Sequence, residues 1–221
     1  KKLFLNHFKK FNKRKLENIH NHIPKKYLPN KIVSVKNDQN PKIYKYLYKI
    51  DKGYDLNKNN KPSSFLKLYE KFVKYIAQNI FKDFLIYQSR PTLRIMFPNN
   101  KAVGDYHRDR DYNHPIEEIN VWVPITSSIN SNTIWIESKF NKNDYRPANL
   151  NYGQFLIFDS ALKHGNNINL ENKTRISFDF RVIPYLKWNK IQKRKQIKSS
   201  FNQKLKFKIG DYYKLMKYNK K

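Results

Sequence analysis

A mainly β fold with flanking helices is what this 221-residue sequence predicts, and three observations predict it. Between residues 84 and 183, short runs place apolar residues at every second position. Turn-forming clusters separate those runs, as at Pro98-Asn99-Asn100, Ser127 to Asn132 and His164 to Lys173. One run sets Ile176, Phe178, Phe180 and Val182 against Arg175, Ser177, Asp179 and Arg181. One face of that strand must pack on a core while the other meets something polar. In a closed or two-sheet barrel, the polar face lines a pocket instead of bulk water.

Residues 1–62 read as a basic N-terminal extension of short amphipathic pieces packed on the barrel. Leu3, Phe4, Phe8 and Phe11 share one side of a first helix, limited downstream by Pro24 and Pro29. Residues 42–50 fit a strand or a helix equally, and Asp51-Lys52-Gly53 and Asn57 to Pro62 read as turn and loop. Residues 63–184 form the β core with one supporting helix. That helix runs from about Ser64 to Phe81, because Phe65, Leu68 or Tyr69, Phe72, Ile76 and Ile80 recur at helical spacing. Ser63 or Ser64 can cap it. Strands are expected near 84–88, 92–97, 102–107, 119–125, 132–137, 154–159 and 174–183. Residues 185–221 are a Lys-rich extension carrying Trp188, Phe201, Phe207, Tyr212 and Tyr213. It is expected to be partly helical, with the helix ending near Gly210.

The length fits one domain, and 39% hydrophobic with 15% aromatic content supports a real core. No apolar run approaches the ~18 residues of a membrane span, and the start shows no signal-peptide pattern, so a cytoplasmic protein without a membrane partner is expected. The absence of cysteine excludes disulfides and thiolate metal sites. The net charge of +29 raises nucleic acid as a partner, so its distribution matters. Residues 1–62 hold 17 basic and 4 acidic side chains, residues 63–184 hold 16 and 12, and residues 185–221 hold 13 and 1. The β core is close to neutral and the flanks carry the charge. Lys outnumbers Arg 37 to 9, and Asn and Ile are abundant, a bias that an AT-rich genome yields without selection for polyanions. A nucleic-acid partner is therefore possible but not favoured, and the oligomeric state stays open.

The chemistry centres on Tyr106-His107-Arg108-Asp109-Arg110-Asp111, at the end of an expected strand. A His-x-Asp pair is common by chance. Here His164 follows 55 residues after Asp109, and Arg175 comes 11 residues after His164. Singly, each would read as a satisfied barrel histidine or a turn-forming aspartate. Their order, strand-end placement and following Arg make metal binding the better reading. Two imidazoles and one carboxylate occupy one face of an octahedral Fe(II) and leave positions for substrate-derived ligands and oxygen. Arg175 offers a planar fork for a carboxylate, and Ser177, two residues on, adds a hydroxyl. Arg94, between Leu93 and Ile95, also faces inward, toward a substrate or cosubstrate carboxylate or in an ordinary salt bridge. Asn120 is a hydrogen-bond partner near the metal, and Trp122 is pocket wall or core. His114, beside Pro115, reads as a surface or pocket-lip residue. His20-x-His22 lacks a third ligand.

Residues from about Arg90 to Pro184 resemble the Fe(II)/2-oxoglutarate-dependent dioxygenases, most closely the streptomycin-biosynthesis-type branch related to the phytanoyl-CoA hydroxylases. The text that carries this is His107-Arg108-Asp109, Glu118 to Ile125, Asn132 to Ser138, Phe158-Asp159, His164-Gly165 and Thr174 to Arg181. It spans somewhat under half the chain. The resemblance implies a double-stranded β-helix, a jelly-roll or cupin-like barrel. It implies that His107, Asp109 and His164 ligate Fe(II), and that Arg175 with Ser177 binds the remote carboxylate of 2-oxoglutarate. Arg94 and Asn120 are further candidates for contact with the cosubstrate, and Arg94 or Arg181 is the substitute anchor should Arg175 fail. The activity implied consumes O2 and 2-oxoglutarate, releases succinate and CO2, and hydroxylates a small metabolite such as a sugar or amino-acid derivative. Related halogenases carry Gly or Ala in place of the carboxylate, so Asp109 points to hydroxylation. Two alternatives are an oxygenase drawn to nucleic acid or a phosphorylated substrate by its basic flanks, and a catalytically silent binding barrel.

Overall fold

The computed structural model describes residues 15–28, 64–102, 105–192 and 207–219. The first helix expected around residues 3–11, the segment 42–50, the loop before Pro62, Ser63 and Phe201 lie outside the described residues. Helix α1 (Ser64–Ile76) continues through one π-helical turn, Ala77–Phe81. It stops where Lys82 turns left-handed, at φ 51°. Its apolar stripe packs against a sheet built from β1 (Leu85–Gln88), β2 (Thr92–Met96), β3 (Ile119–Pro124), β6 (Leu156–Asp159), β8 (Arg175–Pro184) and β9 (Tyr213–Met216). Its order is β6-β3-β8-β1-β9. β8 pairs with β3 along one edge, and with β2 and then β1 along the other. A smaller sheet joins β5 (Arg146–Pro147), β4 (Trp135–Ile136) and β7 (His164–Gly165) in the order β5-β4-β7.

β8 separates two environments. Ile176, Phe178, Phe180 and Val182 face the main core, where Leu93 and Ile95 of β2, Val121 of β3, and Tyr69 and Val73 of α1 also sit. Leu16 and Ile19, on a 3-10 turn at Leu16–His22, close the same core. Arg175, Ser177, Asp179 and Arg181 point the other way and are nonetheless buried. The polar face of the strand is covered, as the alternation required. Trp122 and Phe158 on the larger sheet pack there against Ile134 and Ile136 from the smaller one. The two sheets therefore face each other, with polar groups at one end of their interface.

Several expectations are revised. Of the run expected as a strand at 102–107, residues 103 and 104 lie outside the described residues, and among the others only His107 is paired, in a single bridge. The strand near 132–137 shortens to Trp135–Ile136, because Asn130–Asn132 makes a 3-10 turn. β5 and β7 are two residues long, too short for any periodicity to announce them. The C-terminal extension holds helix α2 (Tyr185–Gln192), but near Gly210 it makes a turn into β9 rather than ending a helix. Gly210 has φ 91°, a backbone state that costs glycine least. Tyr213 and Trp188 then bury against Ile86 and Ile183 in a second small core. Among the described residues, no helix is long and apolar enough to cross a membrane. The described flank lysines, including Lys25, Lys187 and Lys217, are exposed.

Phe180 is fully buried, with its ring 5.0 Å from that of Tyr69 and 6.2 Å from that of Phe72. Phe180→Ala should lower the unfolding free energy by about 3–5 kcal/mol, the usual cost of emptying such a site. Urea denaturation of the two proteins checks it.

Candidate metal centre

His107 and His164 are antiparallel bridge partners. The His107 N–H donates to the His164 carbonyl at 3.0 Å, and the His164 N–H donates back at 2.9 Å. Directly opposed residues in such a pair send their side chains to the same side of the sheet. The two rings accordingly sit with centroids 4.7 Å apart. Each Nδ1 lies within hydrogen-bonding distance of the carbonyl two residues upstream, 3.0 Å for His107 to Asp105 and 2.9 Å for His164 to Leu162. A carbonyl only accepts, so Nδ1 carries the proton and Nε2 presents its lone pair. Burial pushes the His164 imidazole down to about 4, against the raising pull of Asp109, which keeps it neutral at pH 7.

Asp109 begins the 3-10 turn Asp109–Tyr112 that follows His107. Its N–H donates to the Ser160 carbonyl at 3.3 Å, which ties the turn to the end of β6. The carboxylate is 2% exposed and takes three donors. Arg181 gives Nη2 to Oδ1 at 3.0 Å and Nε to Oδ2 at 3.3 Å, and Asn120 gives Nδ2 to Oδ2 at 2.7 Å. Burial would raise this carboxyl, but Arg181 and then His164 hold it well below the ordinary carboxylate range. One ligand atom from each of His107, Asp109 and His164 lies within 4.8 Å of the others. Two imidazoles whose Nδ1 atoms face carbonyls, leaving Nε2 toward the cluster, and one buried carboxylate form a donor set that suits a divalent first-row metal. These residues fit such an ion.

The cluster opens on a cleft of about 420 Å³, mouth included, between the two sheets. Among the described residues its lining includes no lysine. Arg175, 1% exposed, lies on its wall. Its Nε donates to the Asn132 carbonyl at 3.0 Å, one Nη contacts Ser177 Oγ, and its Cζ is 5.5 Å from the Trp122 ring. Arg94 also lines the cleft, but its Nε is committed to Asp179 Oδ1 at 2.9 Å. Asp179 Oδ2 in turn takes Arg181 Nη1 at 3.1 Å. Arg94, Asp179, Arg181 and Asp109 thus form a buried ladder of alternating charge. Burial would raise the Asp179 carboxyl, and Arg94 and Arg181 together lower it instead.

The structure brings His107, Asp109, His164, Asn120, Arg94, Arg175 and Ser177 into one region, with Trp122 on the cleft wall. His114 is not a surface residue. Its ring packs on Phe207 and Tyr212, and Nδ1 lies 2.7 Å from the buried Glu118, which also accepts from Tyr213 Oη. His20 bonds Thr174 Oγ1 through Nδ1 at 2.8 Å, while His22 is exposed. From sequence, Asp179 has no role and Arg181 only that of a substitute anchor, although their parity with Arg175 on β8 places both on the same face.

No protein-family model matches the chain. Over 132 residues it is 36% identical to the streptomycin biosynthesis protein StrG of Streptomyces griseus, covering 59% of this chain and 60% of that protein. The chain therefore spans about 60% of the length of the curated relative it matches. Similar solved structures include the non-heme monooxygenase ThoJ–Ni complex, at 19% identity and TM-score 0.41 over 51% of this chain and 49% of that one. CytC3 with Fe(II) and alpha-ketoglutarate matches at 19% identity and TM-score 0.37, over 52% and 49%. The alpha-ketoglutarate-dependent carbocyclase SnoK from nogalamycin biosynthesis matches at 8% identity and TM-score 0.47, over 70% and 72%.

Two outcomes test the packing and electrostatics of this region. A Cβ on Gly165 would come within 3.0–3.1 Å of Tyr106, including its Cα. Gly165→Ala should therefore displace the strand that pairs His107 with His164 and weaken Co(II) binding by about tenfold or more, as outer-shell changes do; isothermal titration checks it. Asp179→Asn leaves two buried guanidinium groups short of their carboxylate, and should cost about 3–5 kcal/mol at pH 7. Because the folded-state pKa of Asp179 is depressed, its contribution is present above the unfolded value of about 3.9 and is lost as pH falls below it. The gap in urea midpoint between wild type and Asp179→Asn should narrow from pH 7 to pH 3.

Proposed function

We propose that this chain is an Fe(II)- and 2-oxoglutarate-dependent oxygenase that hydroxylates a small metabolite, a sugar or amino-acid derivative. The observation that carries it is the bridge between His107 and His164, with Asp109 beside them, opening on a cleft that holds Arg175. The similarity to StrG supports the same reading. We extend it to the architecture, reading the two facing sheets as a double-stranded β-helix. Residues 63–184 would be the catalytic unit, with 1–62 and 185–221 as extensions.

His107 Nε2, His164 Nε2 and one oxygen of Asp109 would hold the iron. When bound, iron and 2-oxoglutarate supply the oxidant: the cosubstrate leaves as succinate and CO2, and one oxygen atom of O2 enters the substrate. The protein's own groups bind and orient. Arg175 offers a charge-assisted fork to the distal carboxylate of 2-oxoglutarate, and the Ser177 hydroxyl adds a donor. Asn132 and Trp122 fix the plane of that guanidinium. Asn120 spends an N–H on Asp109 and steadies the carboxylate. Arg94 donates its Nε to a carboxylate, Asp179. Arg175 donates instead to the Asn132 carbonyl, the Ser177 hydroxyl and the Met96 sulfur, all uncharged, so it is the better anchor for an anion. The narrow cleft between packed sheets limits water at the reacting centre. Among the described residues the cations lining the cleft are arginines already engaged with neighbouring groups and none is a lysine, which favours a small substrate over nucleic acid.

Succinate release across a metabolite library, followed by mass analysis of the product, tests the activity. Turnover with one oxygen atom gained is expected; no succinate above background with any candidate, from iron-loaded protein, would overturn it. Arg175→Lys keeps the charge but loses the fork, so 2-oxoglutarate affinity should fall, and it should fall further in Arg175→Ala with iron binding largely intact. Anaerobic titration of 2-oxoglutarate into the iron-loaded variants measures this. Unchanged affinity in Arg175→Ala would sink the cosubstrate assignment.

A further inference from the structure

We infer that Arg181 is the positioning residue of the carboxylate in this centre, holding Asp109 aimed whether or not an ion is bound. The inference rests on the metal-centre reading above. Arg181 grips Asp109 at two points, Nη2 to Oδ1 at 3.0 Å and Nε to Oδ2 at 3.3 Å. Its remaining nitrogen reaches Asp179 Oδ2 at 3.1 Å and Gln88 Oε1 at 3.4 Å. Its partners include two carboxylates, Asp109 and Asp179, so its charge is already matched before any cosubstrate carboxylate arrives. Arg181 is thereby removed as a substitute anchor for 2-oxoglutarate, and its work is local.

The ladder behind it explains why the grip is stiff. Arg181 pairs across the strands with Asn120, the third donor to Asp109, in the β3–β8 register. Asp179, two residues back on the same face of β8, holds Nη1, and Arg94 of β2 holds Asp179 from the far side at 2.9 Å. Three strands of one sheet thus converge on the position of a single carboxylate. Asp109 itself belongs to a short 3-10 turn outside that sheet. Without such a grip, its side chain would rely on the turn and one amide alone. A buried carboxylate also needs a compensating cation. Arg181 supplies a standing one, and a bound divalent ion would supply another from the opposite side.

A residue that merely stabilised the fold would matter equally with and without the ion. A residue that positions and compensates Asp109 should matter less once an ion shares that task. The test uses the full 221-residue chain, stripped with chelator and melted with and without saturating Co(II). In the metal-free protein, Arg181→Met should lower the melting temperature by roughly 6–20 °C, the shift expected for breaking a buried pair in a chain of this size. Co(II) should remove at least half of that deficit, and Arg181→Lys, which can offer one contact for two, should fall between. In an Asp109→Asn background, Arg181→Met should add much less than it does alone, because the partner it compensates is already neutral. Equal deficits with and without Co(II), or additive losses in the double variant, would overturn the inference. Should Arg181→Met not fold, the same two comparisons are made with Arg181→Lys. A wild-type protein that ignores Co(II), with His164→Ala no different, would instead sink the metal-centre reading, and the metal-free cycle would still decide whether Arg181 positions Asp109.

Discussion

Two reciprocal backbone hydrogen bonds between His107 and His164 hold the site together. They join residues 57 positions apart by placing them opposite each other, and the pleat then turns both rings to one side. The neighbours of that pair depend on it. Tyr106 can lie over Gly165 only because glycine has no Cβ there. Asp109 reaches the rings because its turn starts two residues after His107 and hangs from the Ser160 carbonyl. In the smaller sheet, strand β7 is paired on both sides, by β4 and by His107. Rearranging that single bridge would separate the three donors.

How much of this was legible depends on the range of each interaction. β8, β3 and α1 were readable, because long segments with a sharp environment on each side leave a period in the sequence. β5 and β7 leave none, being fixed by tertiary pairing rather than by their own residues. The segment 102–107 looked like a strand, yet among its described residues only His107 is paired. Of the site, His107, Asp109, His164 and Arg175 could be picked out by type and order. The grip of Arg181 on Asp109 could not, since parity on β8 says which face a side chain takes and not which partner it finds. His114 shows the same limit. Its neighbours Phe207 and Tyr212 come from the far end of the chain, and no local pattern near Pro115 anticipates them.

The cations divide by chemistry as well as by place. Lys outnumbers Arg about four to one in the whole chain, yet among the described residues the cations lining the cleft are Arg94, Arg175 and Arg181. A guanidinium can satisfy two acceptors in fixed directions while buried, whereas an ammonium is a strongly hydrated point charge. The described lysines of the flanks are exposed. A bias toward lysine from genome composition would spread over such a surface without reaching the interior, where hydrogen-bond geometry selects arginine. The large net charge and the internal ladder therefore have separate origins.

The two-faced character of β8 bears on how this protein can change over generations. Single substitutions on either face alter one contact and leave the alternation standing. An insertion or deletion of one codon between Thr174 and Pro184 would do something different in kind. Beyond the lesion, every side chain would trade faces, driving Asp179 and Arg181 toward Phe72 and Tyr69 while Phe180 and Val182 turned into the cleft. No compensating change at one neighbour could repair that. Length variation in this lineage should accumulate in turns such as Asn141 to Asp144, while β8 drifts by replacement at constant length.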